Sequence, residues 1–91
     1  MEFLVRIEVH IPSDLPPEKV SELMAAEFAR GRELQAEGRI LRIWRVPGRT
    51  ANVGIWDAPD PTDLHEAIAS LPLFPHLKAE VAPLAVHPLE G

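Results

Sequence analysis

The spacing of hydrophobic residues predicts a strand, a helix and a hairpin in the first half of the chain. Apolar and polar residues alternate over residues 2–10, which is typical of a strand with one buried face. Over residues 16–37 the apolar positions recur with the helical period, which predicts an amphipathic helix. Residues 39–46 and 50–57 predict two strands, and the Pro47-Gly48 pair between them fits the centre of a tight turn.

A second helix and a last strand complete the predicted order. Asp60 followed by Pro61 is typical of a helix start. The two prolines in residues 71–75 exclude continued helix there. Residues 78–86 predict a last strand, in which Pro83 indicates an edge or a bulge. The order βαββαβ predicts a ferredoxin-like α+β fold, with two helices on one face of a four-stranded antiparallel sheet.

Length and composition narrow the class of protein. A chain of 91 residues predicts a single domain, 1–91. The net charge of −5 argues against nucleic acid or an anionic membrane as partner. No apolar run approaches the roughly 20 residues of a membrane span, and the strand pattern at the N-terminus argues against a signal peptide. The absence of cysteine fits the cytoplasm, and no cofactor or metal is expected because no phosphate loop, dinucleotide fingerprint or zinc spacing occurs.

The strands carry more large apolar side chains than one layer of helices is expected to cover. This excess predicts dimerisation through the sheet face and a symmetric oligomer larger than a dimer. The residues in question are Ile40, Trp44, Val46 and Trp56.

Glu27 is the most informative residue of the predicted first helix. It falls in the middle of an apolar helical face, whereas the other charges of this helix, Arg32 among them, are expected to point elsewhere. Desolvation raises the pKa of a carboxyl group and makes it a useful base near neutral pH. The alternative is a structural glutamate held by an arginine or by backbone donors. Gly31, one turn later, indicates space beside Glu27. The apolar face comprises Val20, Leu23, Met24, Phe28 and Leu34.

The hairpin carries candidate ligand-binding groups. Three arginines cluster there, and they are either solvated charges or a docking site for a carboxylate; they are Arg42, Arg45 and Arg49. Asn52, beside Gly54, is a candidate donor in a cavity. If Val53 and Ile55 faced the helices, alternation would point Asn52 away from Glu27, and the site would need a bulge or a neighbouring subunit.

Several short motifs together resemble the muconolactone Δ-isomerase family. They are Trp44-Arg45-Val46 with Gly48, Ala51-Asn52-Val53, Leu64-His65, Leu71-Pro72-Leu73-Phe74-Pro75 and His87-Pro88. The resemblance covers nearly the whole chain. It implies a ferredoxin-like fold, a cytoplasmic homodecamer and the cofactor-free isomerisation of muconolactone, a small anionic lactone, to 3-oxoadipate enol-lactone in bacterial catechol breakdown.

The resemblance assigns the family's acid/base glutamate to Glu27 and its hairpin asparagine to Asn52. Arg45 or Arg49 is then expected to hold the substrate's carboxylate, and Thr50 and His65 are further substrate-binding candidates, although His65 by itself fits a surface or hydrogen-bonding residue. Two positions depart from the family. Thr50 stands where tyrosine is usual, and Phe28 stands where lysine is usual.

These departures favour one alternative, a related enzyme that acts on another small unsaturated lactone or acid, including lactone dehalogenation. The other alternative is a non-catalytic binding or assembly module on the same scaffold.

Overall fold

Six regular elements follow one another in the predicted order βαββαβ. The computed structural model describes residues 1–90. The elements are β1 (Glu2–Val9), α1 (Pro17–Ala36), β2 (Ile40–Arg45), β3 (Ala51–Asp57), α2 (Pro61–Ala69) and β4 (Leu77–Pro83). The strands form one antiparallel sheet in the order β2-β3-β1-β4. The predicted ferredoxin-like fold is therefore confirmed. No helix within residues 1–90 is long and apolar enough to cross a membrane.

The core lies between one face of the sheet and both helices. Phe3, Val5 and Ile7 alternate along β1 and are at most 3% exposed. They share a single buried cluster with Leu34 of α1 and with Leu64, Ala67 and Ile68 of α2. Because alternate residues of a strand point to one face, both helices cover the same side of the sheet.

β4 is an edge strand that ends at Pro83, three residues before the predicted end. Proline has no N–H group and therefore cannot donate to the ladder. The Leu84 N–H makes one more bond, to the Glu2 carbonyl oxygen at 2.9 Å. Residues 84–87 have no regular structure, and the side chain of Val86 is 84% exposed.

The apolar face predicted for α1 is only partly buried. Of its members only Leu34 is buried, whereas Met24 is 45% exposed and Phe28 is 68% exposed. The prediction that this face packs against the core is wrong for its central turns. The reason is that α1 stands away from the sheet here, so that Met24, Glu27 and Phe28 border a cavity.

β3 turns Asn52, Gly54 and Trp56 toward the helices. Trp56, which is 1% exposed, pairs with buried Phe3, and Asn52 pairs with buried Ile7. Directly opposite residues of antiparallel strands point to the same face. Val53 and Ile55 therefore do not face the helices, and Asn52 lies on the same side of the sheet as Glu27 without help from a neighbouring subunit.

The exposed apolar residues of the strands are only partly those that the sequence predicted. Trp56 and Ile40 are buried beneath the helices at 1% and 7% exposure. Of the residues named in the prediction Trp44 is exposed, at 46%, and Leu41 at 44% and Leu4 at 38% are exposed as well. Leu4 alternates with buried neighbours in β1 and so lies on the face of the sheet opposite the helices.

Gly54 lies at a close approach between β2 and β3. The pairing of these strands shifts register between Ile40 and Arg42, which indicates a β-bulge. A Cβ atom at Gly54 would lie 2.6 Å from the Arg42 carbonyl oxygen. No residue with a side chain fits there unless the backbone moves.

We expect Gly54→Ala to lower the free energy of unfolding by about 1–3 kcal/mol, the usual cost of overpacking. Gly31→Ala is the matched control. A Cβ atom there meets nothing within 4 Å, and alanine in mid-helix is better than glycine by up to about 1 kcal/mol. Urea unfolding of both variants tests this, and equal midpoints would contradict it.

Candidate functional site

A cavity of about 380 Å³ opens between α1 and the hairpin end of the sheet. Ile7, Ile40, Trp56, Leu71 and Leu73 make much of its wall apolar. Its charged, amide and hydroxyl side chains are Glu27, Arg32, Gln35, Arg45, Thr50 and Asn52. This volume and this mixture of apolar walls with a few polar groups are typical of small-molecule sites.

Glu27 is half-buried and is held through one oxygen only. Its Oε1 accepts a hydrogen bond from the backbone N–H of Leu73 at 2.9 Å. Desolvation raises the pKa of Glu27 above the ordinary value of 4.5, although the hydrogen bond from Leu73 opposes the rise. Oε2 makes no hydrogen bond or ion pair within residues 1–90. The structural alternative required an arginine or a backbone donor beside Glu27; the backbone donor is present, and no arginine pairs with Glu27 within residues 1–90.

The donor for Glu27 comes from the irregular segment that follows α2. Leu71 and Leu73 are buried at 5% and 1% exposure, which anchors the segment on the core. Pro72 and Pro75 prevent continued helix, and a 3₁₀ turn at Phe74–His76 leads into β4. The Leu73 N–H is thus left free of helical pairing and available to Glu27.

Asn52 lines the same cavity from the side of the sheet. Its Oδ1 is buried and has no hydrogen-bond partner within residues 1–90. An unpaired buried polar atom is uncommon and costs about 1–3 kcal/mol, so it calls for an explanation such as a ligand or an ordered water. Arg45 pairs with Asn52 across the hairpin and also lines the cavity, as does Thr50.

Two of the predicted substrate-binding residues lie elsewhere. Arg49 is outside the cavity lining and donates to Glu8 Oε1 at 2.9 Å, a hydrogen bond that lowers the pKa of Glu8. His65 lines a separate apolar hollow of about 460 Å³ between α2 and β4, and its ring meets Phe74 edge-on with centroids 6.0 Å apart. Neither is brought to Glu27.

Arg32 was expected from the helical pattern to point away from the apolar face. It lines the cavity, and its guanidinium carbon lies 5.6 Å from the centre of the Phe28 ring. The spacing of Phe28 and Arg32, four residues apart on one helix, is the signal that could have found it. The indole N–H of Trp56 was also missed, since it is buried in the cavity wall and has no partner within residues 1–90.

The residues that the structure describes contain no group of three or more His, Asp or Glu side chains able to hold a metal ion. What the cavity does offer is one anchored carboxylate, two amides, one hydroxyl and two guanidinium groups. An α+β domain with such a set of groups around one cavity is suited to acid–base chemistry on a small bound molecule.

Comparison with known proteins identifies the family. A family model described as muconolactone delta-isomerase matches residues 1–90. The chain therefore belongs to the muconolactone delta-isomerase family, as its motifs predicted. It is 41% identical to the muconolactone delta-isomerase of Cupriavidus pinatubonensis, over 97% of this chain and 96% of the relative. It is 42% identical to that of Rhodococcus opacus, over 93% and 91%.

A solved structure supports the same assignment. The crystal structure of muconolactone isomerase at 3.3 Å resolution superposes on this chain with a TM-score of 0.90 and 39% identity, over 97% of this chain and 92% of that one. Family and fold together identify the protein as an isomerase.

Proposed function

We propose that the protein converts muconolactone to 3-oxoadipate enol-lactone by an intramolecular proton shift through Glu27. The observation that carries this proposal is the environment of Glu27. One oxygen is anchored on the Leu73 N–H, the other has no partner within residues 1–90, and the surrounding wall is largely apolar. The likeness to enzymes named for this activity supports the choice of substrate.

In the proposed reaction one carboxylate serves twice. Glu27 removes the proton from the ring carbon that bears the acidic side arm. The electron pair moves through the ring, and negative charge develops on the carbonyl oxygen of the lactone. Glu27 then returns the same proton to the carbon next to the carbonyl, so that the C=C bond moves and no atom is gained or lost. A raised pKa suits a group that must both accept and return a proton.

Asn52 is the proposed donor to the developing dienolate oxygen. The donor is its Nδ2 amide group, which makes no hydrogen bond within residues 1–90, and the residue lines the cavity. Donors aimed at developing charge usually supply much of an enzyme's rate enhancement. Arg45 is proposed to hold the side-arm carboxylate, and Thr50 lies beside it on the wall.

The test of the reaction is the ultraviolet absorbance change when the purified protein is mixed with muconolactone. Turnover at micromolar substrate supports the proposal, and no turnover excludes it. Thr50 and Phe28 border the cavity and favour the second candidate, a related lactone isomerase or dehalogenase. A parallel assay with a chlorinated muconolactone, read as chloride release, distinguishes that candidate.

Among the hairpin arginines we expect only Arg45 to affect substrate binding. Arg45→Ala should raise KM about tenfold, because a charge-assisted hydrogen bond to the substrate carboxylate is lost. Arg49→Ala should leave KM within about twofold, because this guanidinium is paired with Glu8 outside the cavity. Steady-state kinetics of both variants checks this, and a larger effect at Arg49 would reverse the assignment.

The proposed working form is a cytoplasmic homo-oligomer larger than a dimer, with the decamer implied by the family resemblance. Exposed Leu4, Leu41 and Trp44 on the sheet support it, as do Val86 and Leu89, which are 84% and 91% exposed near the C-terminus. We expect light scattering at micromolar concentration to give a mass well above the 20 kDa or so of two 10.1 kDa chains. A monodisperse monomer would exclude this assembly.

A further inference from the structure

We propose that Arg32 is a second cation of the site, which receives the carboxylate of an anionic lactone together with Arg45. This inference rests on the proposed function, since it names the group that recognises the acidic arm of that substrate. Arg32 projects from α1 and Arg45 from β2, so the two guanidinium groups lie on different walls of the cavity that contains Glu27.

No carboxylate within residues 1–90 neutralises the charge of Arg32. Four other arginines, Arg6, Arg30, Arg39 and Arg49, form ion pairs with carboxylates. Within residues 1–90 no ion pair to a carboxylate is made by Arg32, Arg42 or Arg45. Two of these three line the Glu27 cavity. In a chain of net charge −5 this concentrates unpaired positive charge at one opening.

Phe28 explains how Arg32 can be positioned without being neutralised. The guanidinium carbon lies 5.6 Å from the ring centre, within the range of a cation–π contact. An aromatic face holds the cation and leaves its N–H groups free, whereas a carboxylate would occupy them. Arg30, two residues earlier, shows the contrast, because it is engaged by Glu33, Glu37 and Ser70.

Two free guanidinium groups around one cavity define the ligand class. Guanidinium binds carboxylate as a planar fork of parallel hydrogen bonds. The site should therefore take lactones that carry a free carboxylate and discriminate against their neutral esters. Attraction to this arm would also offset the repulsion between an anionic substrate and the Glu27 carboxylate.

The experiment compares Arg32→Gln with Arg42→Gln. Arg42 is a matched control because it also stacks on an aromatic ring, with its guanidinium carbon 4.9 Å from the centre of the Trp44 ring. It has no carboxylate partner within residues 1–90 and lies outside the cavity lining. For muconolactone we expect Arg32→Gln to raise KM about tenfold or more with kcat changed less than about threefold, since it removes a charge-assisted contact. Arg42→Gln should change neither. For the methyl ester, both variants should match the parent protein.

Each outcome of this experiment either supports or overturns the role of Arg32. An unchanged KM in Arg32→Gln overturns the inference, and so does an equal rise for acid and ester. If the parent protein does not turn over muconolactone, the proposed function fails. Whether Arg32 binds a carboxylate is then tested by tryptophan fluorescence titration with 5-oxotetrahydrofuran-2-acetic acid. This saturated lactone acid cannot shift a double bond. Weaker binding to Arg32→Gln than to Arg42→Gln then supports the inference, whereas equal binding, or none to the parent protein, overturns it.

Discussion

Glu27→Gln lowers turnover at least about a hundredfold and leaves the fold intact, if Glu27 moves the proton. The amide has the same shape and its Oε1 can still accept the hydrogen bond from the Leu73 N–H, but it cannot act as a base. A neutral amide is also easier to bury than a carboxylate. The measurement is kcat for muconolactone, with circular dichroism as the check on folding.

Glu22→Gln is the matched control for this experiment. It removes a carboxylate from the same helix, where the side chain is 72% exposed, and should leave kcat within about twofold. A Glu27→Gln protein that is folded and fully active would exclude the mechanism. One that is unfolded would show that Glu27 is a structural residue whose carboxylate the fold requires.

The raised pKa of Glu27 adds a pH dependence with a definite sign. Activity needs the ionised form, so kcat/KM should fall as the pH decreases through a value above 4.5. Stability should change in the opposite sense. The folded state binds the Glu27 proton more tightly than the unfolded state does, so protonation of Glu27 stabilises the fold. This stabilisation is fully present below the pKa of Glu27 in the unfolded state and is lost as the pH rises through its pKa in the folded state. Glu27→Gln should remove both dependences.

Asn52→Leu should lower kcat by about 10²–10³-fold, the usual effect of losing one donor to a developing oxyanion. Stability should stay the same or rise, because the variant also removes a buried Oδ1 that has no partner within residues 1–90. Gln35→Leu removes another amide from the cavity lining and should reduce kcat far less. Kinetics and thermal unfolding measure both effects. A loss of activity that merely follows a loss of stability would contradict the role of Asn52.

The fold was predictable because its local signals agree with one another. Asp60 caps α2 by accepting from the Asp63 N–H at 2.8 Å, and Pro61 occupies the first turn as expected. Gly48 has φ +78° beside Pro47, and the Arg49 N–H bonds the Val46 carbonyl oxygen, as in a type II turn. The helix cap and the turn each involve only a few neighbouring residues, so both can be recognised in the sequence.

The site was only partly predictable, because it depends on contacts between distant residues. Helical periodicity singled out Glu27, but it could not show that Phe28 borders a cavity. Alternation in β3 divides its residues between the two faces of the sheet but does not show which face the helices cover. The face with Trp56 is the covered one, although the aliphatic Val53 and Ile55 lie on the other. Arg49 clusters with Arg45 in sequence, yet its partner Glu8 lies 41 residues away in β1.

The hydrogen bond from the Leu73 N–H to Glu27 is a part of this site that alanine-scanning mutagenesis cannot detect. Any residue at position 73 except proline supplies the same N–H, so alanine there would disturb the packing and still keep the donor. The orientation of the acid/base group is thus protected against most single substitutions at its partner. It is exposed instead to changes in the path of the backbone, such as an insertion or deletion between α2 and β4. Among relatives, the length of that segment should be constrained more tightly than the identity of the residue that makes the contact.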